Sequence, residues 1–221
     1  MLRIFFYFHK ILFSIIFYCL SINFFRCLKY KTSKAMKLQQ QWKEKWETQP
    51  GLMLITIVIW SIFIGLCIKA GALLFTFVYS LFNPVVAQDL FEGLNLYELL
   101  NQHFWNYIGV MSFIVLIAGQ KAHLFYLMIL VFLKINLVHP FSKEVSRRIS
   151  EISYMALQIG LSIILASTYL KWLEKRSFDI PSLDGYLGGA FEYLLMAALI
   201  YAIAQVFKRG VEIQAENELT V

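Results

Sequence analysis

Long apolar runs separated by polar connections dominate the pattern of this chain. A helix needs about 20 predominantly apolar residues to cross a hydrocarbon layer of about 30 Å. Five runs reach that length: residues 4–25, 52–82, 105–135, 152–172 and 186–207. They are continuous rather than alternating with period two, and an open sheet would leave unpaired edge groups in lipid. The pattern predicts an all-α, polytopic transmembrane helical bundle, with a four-helix core over 51–207 and an extra N-terminal transmembrane helix. Residues 1–50 then comprise that first hydrophobic helix and a basic amphipathic segment, and 208–221 form a polar tail. Within the first run Phe17 and Tyr18 precede Cys19, too bulky for a lipoprotein cleavage site, so a retained helix is favoured over a signal. A helix lying in the interface is the alternative.

Basic residues set the orientation of such a chain. Residues 26–45 carry seven, whereas 80–104 carry none and hold Asp89, Glu92 and Glu98. Lys134, Lys143, Arg147 and Arg148 follow in the next connection, and Lys208 and Arg209 open the tail. This alternation predicts a multipass protein of the bacterial cytoplasmic (inner) membrane, with its N-terminus outside and its C-terminus in the cytoplasm. Composition agrees: 59% of the residues are hydrophobic and 15% charged, against about 25% charged in soluble domains. The net charge of +6 sits in the predicted cytoplasmic segments, so it calls for no direct nucleic-acid partner.

Candidate chemistry is sparse. The three cysteines form no CxxC, the four histidines are scattered, and no HExxH, Gly-rich phosphate loop or GxSxG elbow occurs. The expectation is a non-enzymatic protein with no catalytic, cofactor-binding or metal site, whose first partner is the lipid bilayer. Lys69, Gln120, Lys121, His123, Gln158, Glu192 and Gln205 fall inside predicted spans. A lysine at the bilayer centre costs about 2.5–3.5 kcal/mol on insertion scales. Lys69, Lys121, His123 and Glu192 are therefore the intramembrane candidates, and helix directions allow Lys69 to meet Glu192. Such a set would suit a small transporter or channel-like protein; snorkelling plus one structural pair is the plain alternative. In 80–104, apolar residues at helical spacing predict a short interfacial helix with Asp89, Glu92, Asn95 and Gln102 facing away. Leu38, Trp42 and Trp46, four apart, predict a membrane-surface helix. Gly185 with Gly189, and Ala198 with Ala202, are small-residue steps that would admit a neighbouring helix or a second copy in a homo-oligomer. At 136–151, Pro140 ends one helix and Ser142 caps the next, with Glu144 in its first turn.

Two segments resemble a known bacterial family. Residues 207–214 read FKRGVEIQ and 216–221 read ENELTV, which is similar to the ending RGxELQxENDLTV of the domain-of-unknown-function 2975 membrane proteins. Glu218 stands where Asp is usual and Ile213 where Leu is. Pro140, Phe141, Ser142, Lys143 and Glu144 resemble that family's elbow between its second and third helices. The likeness extends over about 52–221 and implies a four-helix membrane unit without an assigned reaction. It also implies a role beside a small helix-turn-helix regulator. Candidate partner-binding residues are then Pro140, Phe141 and Glu144 in the elbow. In the tail they are Arg209, Gly210, Glu212, Gln214, Glu216, Asn217, Leu219 and Thr220.

Orientation has a direct test. With the native cysteines replaced, Asp89→Cys is expected to react with a membrane-impermeant maleimide in intact cells, and Val221→Cys only after lysis. The opposite labelling would reverse the topology.

Overall fold

The computed structural model describes residues 50–134, 141–176, 181 and 183–218. The first apolar run and the basic segment after it lie outside the described residues. Four long helices carry the fold: α1 (Pro50–Phe82), α3 (Phe104–Lys134), α4 (Lys143–Glu174) and α6 (Ala190–Glu218). Two short helices, α2 (Tyr97–Gln102) and α5 (Asp184–Leu187), belong to the connections. No strand occurs among the described residues. Four segments are long and apolar enough to cross a membrane, which makes the chain an all-α, multipass membrane protein.

Local chemistry explains where the helices begin and bend. Ser142 Oγ accepts the Val145 N–H at 3.2 Å, so the predicted N-cap of α4 forms, with Glu144 in the favourable first turn. Gly189 takes φ +89 immediately before α6, a left-handed backbone conformation that favours glycine. The fifth apolar run is therefore broken into α5 and α6.

The core is formed where α3, α4 and α6 pack. Ile114, Ile117, Ala156, Ile159, Ile163 and Ala204 are among its fully buried residues. The tightest approach is between α4 and α6 at Gly160. A Cβ there would stand 2.9 Å from the Leu194 side chain and 3.3 Å from the Ala190 carbonyl oxygen. Ser153 Oγ donates to the Ala197 carbonyl at 2.9 Å, one of the cross-helix bonds that small polar residues make in lipid. The close contact thus involves Ser153, Gly160 and Ala197, and not the expected steps. Ala198 and Ala202 are exposed, and a Cβ on Gly185 would meet nothing within 4 Å. Helix α1 is held by side chains rather than by close backbone packing: Phe77 and Ser80 meet Tyr107, and Phe63 lies 6.1 Å from Tyr126.

These contacts make α1 and α3 antiparallel, and α4 and α6 antiparallel; Tyr169 near the end of α4 meets Gly109 and Phe113 near the start of α3, so that pair is antiparallel too. Phe82, Phe104 and Glu174 mark one end of the bundle, here called the loop end. Lys143 and the polar turns of α6 mark the elbow end.

Replacing Gly160 with Leu should destabilise the detergent-solubilised protein by about 1–3 kcal/mol through overpacking. The double variant Gly160→Ala/Leu194→Ala should recover most of what Gly160→Ala loses; thermal unfolding followed by circular dichroism reads both.

Candidate functional site

A stretch of non-helical backbone follows α1 and descends from the loop end into the bundle. Asn83 caps a 3-10 turn, Pro84–Gln88, by accepting the Val85 N–H, and a second turn covers Phe91–Gly93. Glu92 has φ 57 and Gly93 φ 76, so the chain reverses sharply there. Leu90, Leu94, Leu96, Leu99 and Leu100 are all buried. The sequence expectation of one short interfacial helix is corrected, while Asp89, Glu92, Asn95 and Gln102 are exposed as expected. Two 3-10 turns and α2 replace that helix, because burying five leucines requires the segment to fold inward.

Glu92 is exposed and reaches α1. Its Oε2 lies 2.7 Å from Lys69 Nζ, an ion pair between α1 and the reversal. Lys69 is 13 residues before Phe82, about 20 Å below the loop end of α1 at 1.5 Å per residue. Lys69 therefore pairs with Glu92 and not with Glu192, which is exposed in the first turn of α6 with its carboxylate beside Gly189. Sequence spacing along straight helices could not anticipate this, since the partner arrives on a folded-in connection.

Helix α5 stands beside this reversal: Tyr186 donates its hydroxyl proton to the Phe91 carbonyl, tying α5 to it. The Tyr186 ring stands 4.9 Å from Lys69 Nζ, and the Phe91 ring 5.9 Å from it. On the other side, Lys121 Nζ lies 3.5 Å from the Tyr186 carbonyl oxygen and 5.6 Å from the centre of the Tyr193 ring. Lys121 is 17 residues into α3, about 26 Å from its loop end. Ala190, beside Gly160, is at a similar level on α4, about 21 Å below Glu174. Helices of 31 to 33 residues are about 46–50 Å long and overhang a 30 Å hydrocarbon layer by about 8–10 Å at each end. The cluster of Lys69, Glu92, Tyr186 and Lys121 therefore lies well inside the apolar layer.

Non-helical backbone at such depth is tolerated only where protein buries it or where it lines water. Here the buried leucines, the Leu96 N–H to Ala87 carbonyl bond and the Leu90 N–H to Leu94 carbonyl bond meet part of that requirement. The other polar residues inside the spans are scattered. His123 is half-buried, 6.1 Å from the Tyr126 ring. Gln120 is buried with an unpaired Oε1, while Gln158 and Gln205 are exposed. Lys69 and Lys121 are thus brought together around Tyr186; His123 is not part of that group. Sequence reasoning missed Phe91, Tyr186 and Tyr193. The Glu92-Gly93 and Gly188-Gly189 pairs were the available signals of chain reversal inside apolar surroundings.

At the elbow end the two segments that carry the family likeness touch. The Phe141 ring covers Gly210, leaving no room for a Cβ there, and lies 5.4 Å from the Phe207 ring. Helix α6 continues to Glu218, so the polar tail is helical over its described residues, 208–218. Gly210, Val211 and Gln214 are half-buried on one side, while Arg209, Glu212 and Glu216 are exposed. Arg209 Nη1 pairs with Glu212 Oε2 at 2.9 Å, and Arg148 with Glu151 at 2.7 Å. Pro140, Leu219 and Thr220 lie outside the described residues, and Asn217 is within α6. Among the described residues no group of three His, Cys, Asp or Glu could hold a metal ion.

The ion pair predicts a charge-swap result. Lys69→Glu or Glu92→Lys alone should cost about 1–3 kcal/mol, between the limits for exposed and buried pairs. Lys69→Glu with Glu92→Lys should restore folded yield. Lys69→Glu with Glu192→Lys should not.

No curated protein and no solved structure matches the chain. The family described as "Protein of unknown function (DUF2975)" matches residues 95–221, from the start of α2 through the tail. Helix α1, with Lys69, stands outside that match. The matched portion contains both the elbow and the helix end that Phe141 joins, and it is more than half of the chain: the protein belongs to the domain-of-unknown-function 2975 family.

Proposed function

We propose that this is a non-enzymatic protein of the bacterial inner membrane whose elbow and α6 end form one cytoplasmic docking surface for a small helix-turn-helix transcription regulator. The contact of Phe141 with Gly210 carries the reading, because it joins two distant segments into one surface. The last two turns of α6, 211–218, run about 12 Å past that contact and present Glu212, Ile213 and Glu216 to solvent. Exposed Arg209 and Arg147 flank them. Mixed charge around an exposed Ile213 suits recognition of a small partner, with charge setting specificity. The excess of basic residues in 134–150 and at the head of the tail supports a cytoplasmic position. Holding a regulator at the membrane would withdraw it from DNA without any reaction by this chain.

Reversing the exposed pair, with Arg209→Glu and Glu212→Lys, keeps an ion pair on the helix while inverting its charges. Co-purification of a small helix-turn-helix regulator encoded beside this chain should fall at least tenfold, with membrane insertion unchanged. Undiminished co-purification would reject this surface. Gly210→Leu should have the same effect by displacing Phe141.

A further inference from the structure

We infer that Lys121 and Lys69, arranged around Tyr186, bind a singly charged oxyanion. The site stands apart from the elbow surface and does not depend on its function. Three observations carry the inference. First, two ammonium groups flank one residue at membrane depth: Lys69 Nζ faces the Tyr186 ring at 4.9 Å and Lys121 Nζ the Tyr186 carbonyl at 3.5 Å. Second, among the described side chains the carboxylate that meets them is Glu92, and it is engaged by Lys69 at 2.7 Å. Among the described residues the contacts of Lys121 are one long approach to a carbonyl and the Tyr193 ring. Two lysines against one glutamate leave one positive charge. Ionisable groups inside a membrane bundle pair with each other or line a water-filled path. A singly negative ligand would complete the pairing.

Third, the group is not sealed by protein: 51% of the Glu92 side chain and 30% of the Lys69 side chain are accessible. The Phe91, Tyr186 and Tyr193 rings wall the group. They offer apolar surface to the body of a ligand while the ammoniums take its head. The recognised chemistry is a carboxylate or a monoanionic phosphate, whether on a soluble molecule or on a lipid headgroup.

The experiment uses the full-length chain in dodecyl maltoside, at constant ionic strength, with thermal unfolding titrated by acetate, inorganic phosphate, phosphatidylglycerol and phosphatidylcholine. A saturable rise in Tm of about 2–6 °C is expected from at least one anion and not from phosphatidylcholine. A rise with acetate or phosphate assigns a soluble ligand; a rise with phosphatidylglycerol alone assigns a lipid headgroup. Lys121→Gln should raise the midpoint concentration at least tenfold, and Lys121→Arg should not. Glu92→Gln adds a net positive charge and should lower the midpoint severalfold, which keeps the test open if Lys121→Gln fails to fold. Equal response to phosphatidylglycerol and phosphatidylcholine with none to the soluble anions would overturn the site. So would midpoints unchanged by both substitutions. Asp184 is two residues from Tyr186 in sequence. If anion binding emerges only in Asp184→Asn, that carboxylate already neutralises Lys121 and the proposal fails.

Discussion

Hydrocarbon cannot hydrate a charge or a backbone amide, and that constraint shapes the interior of this bundle. Lys69 is the point where it bears hardest. Its ammonium lies about 20 Å below the loop end of α1, and no residue of α1 itself is acidic. The counter-charge has to be delivered by another segment. Residues 83–103 deliver it by folding inward, reversing at Glu92 and Gly93, and sealing their own polar backbone under five buried leucines. Helix α1, which has little close helix packing, is thereby fixed through its charge and through the Ser80 and Phe77 contacts with Tyr107.

The two ends of the molecule follow different logic. Toward the loop end, helix α1 gives way to a descending loop, and polar side chains are drawn into the apolar layer around Tyr186. Toward the elbow end, small and aromatic residues set the packing. Gly160 admits Leu194, Ser153 bonds the Ala197 carbonyl, and Gly210 accepts the face of Phe141. Each glycine works by lacking a side chain, so a methyl at either would force Leu194 or Phe141 to shift. The family match covers α2 through the tail, which includes the Lys121–Tyr186 part of the loop-end cluster but not Lys69. The ion pair lies wholly outside the matched residues, since Glu92 and Lys69 both precede residue 95.

Much of the fold was legible in the sequence because lipid imposes a length and a composition on each crossing. The four apolar runs described here became α1, α3, α4 and α6 within a few residues at most ends, and Ser142 capped α4 as its position required. Differences arose where the chain leaves the straight helix. The fifth run is interrupted at Gly188 and Gly189, so α6 starts beside Gly160 in mid-bundle and runs on through the polar tail to Glu218. The 80–104 connection carries leucines at helical spacing, yet it breaks into two 3-10 turns and α2, because their apolar faces are satisfied by the bundle rather than by the membrane surface.

Sequence by itself determined the class of the molecule, the number of described crossings and the residues whose charge is costly in lipid. These are additive properties of short windows, and hydrophobic transfer depends on them alone. Tertiary structure decided the partners. Lys69 chose Glu92 over Glu192, Lys121 came to rest on Tyr186, and Phe141 settled on Gly210. Each pairing spans more than twenty residues and depends on where a folded connection returns. Chain reversal at depth, which no local pattern measures, is the physical reason these could be seen only in three dimensions.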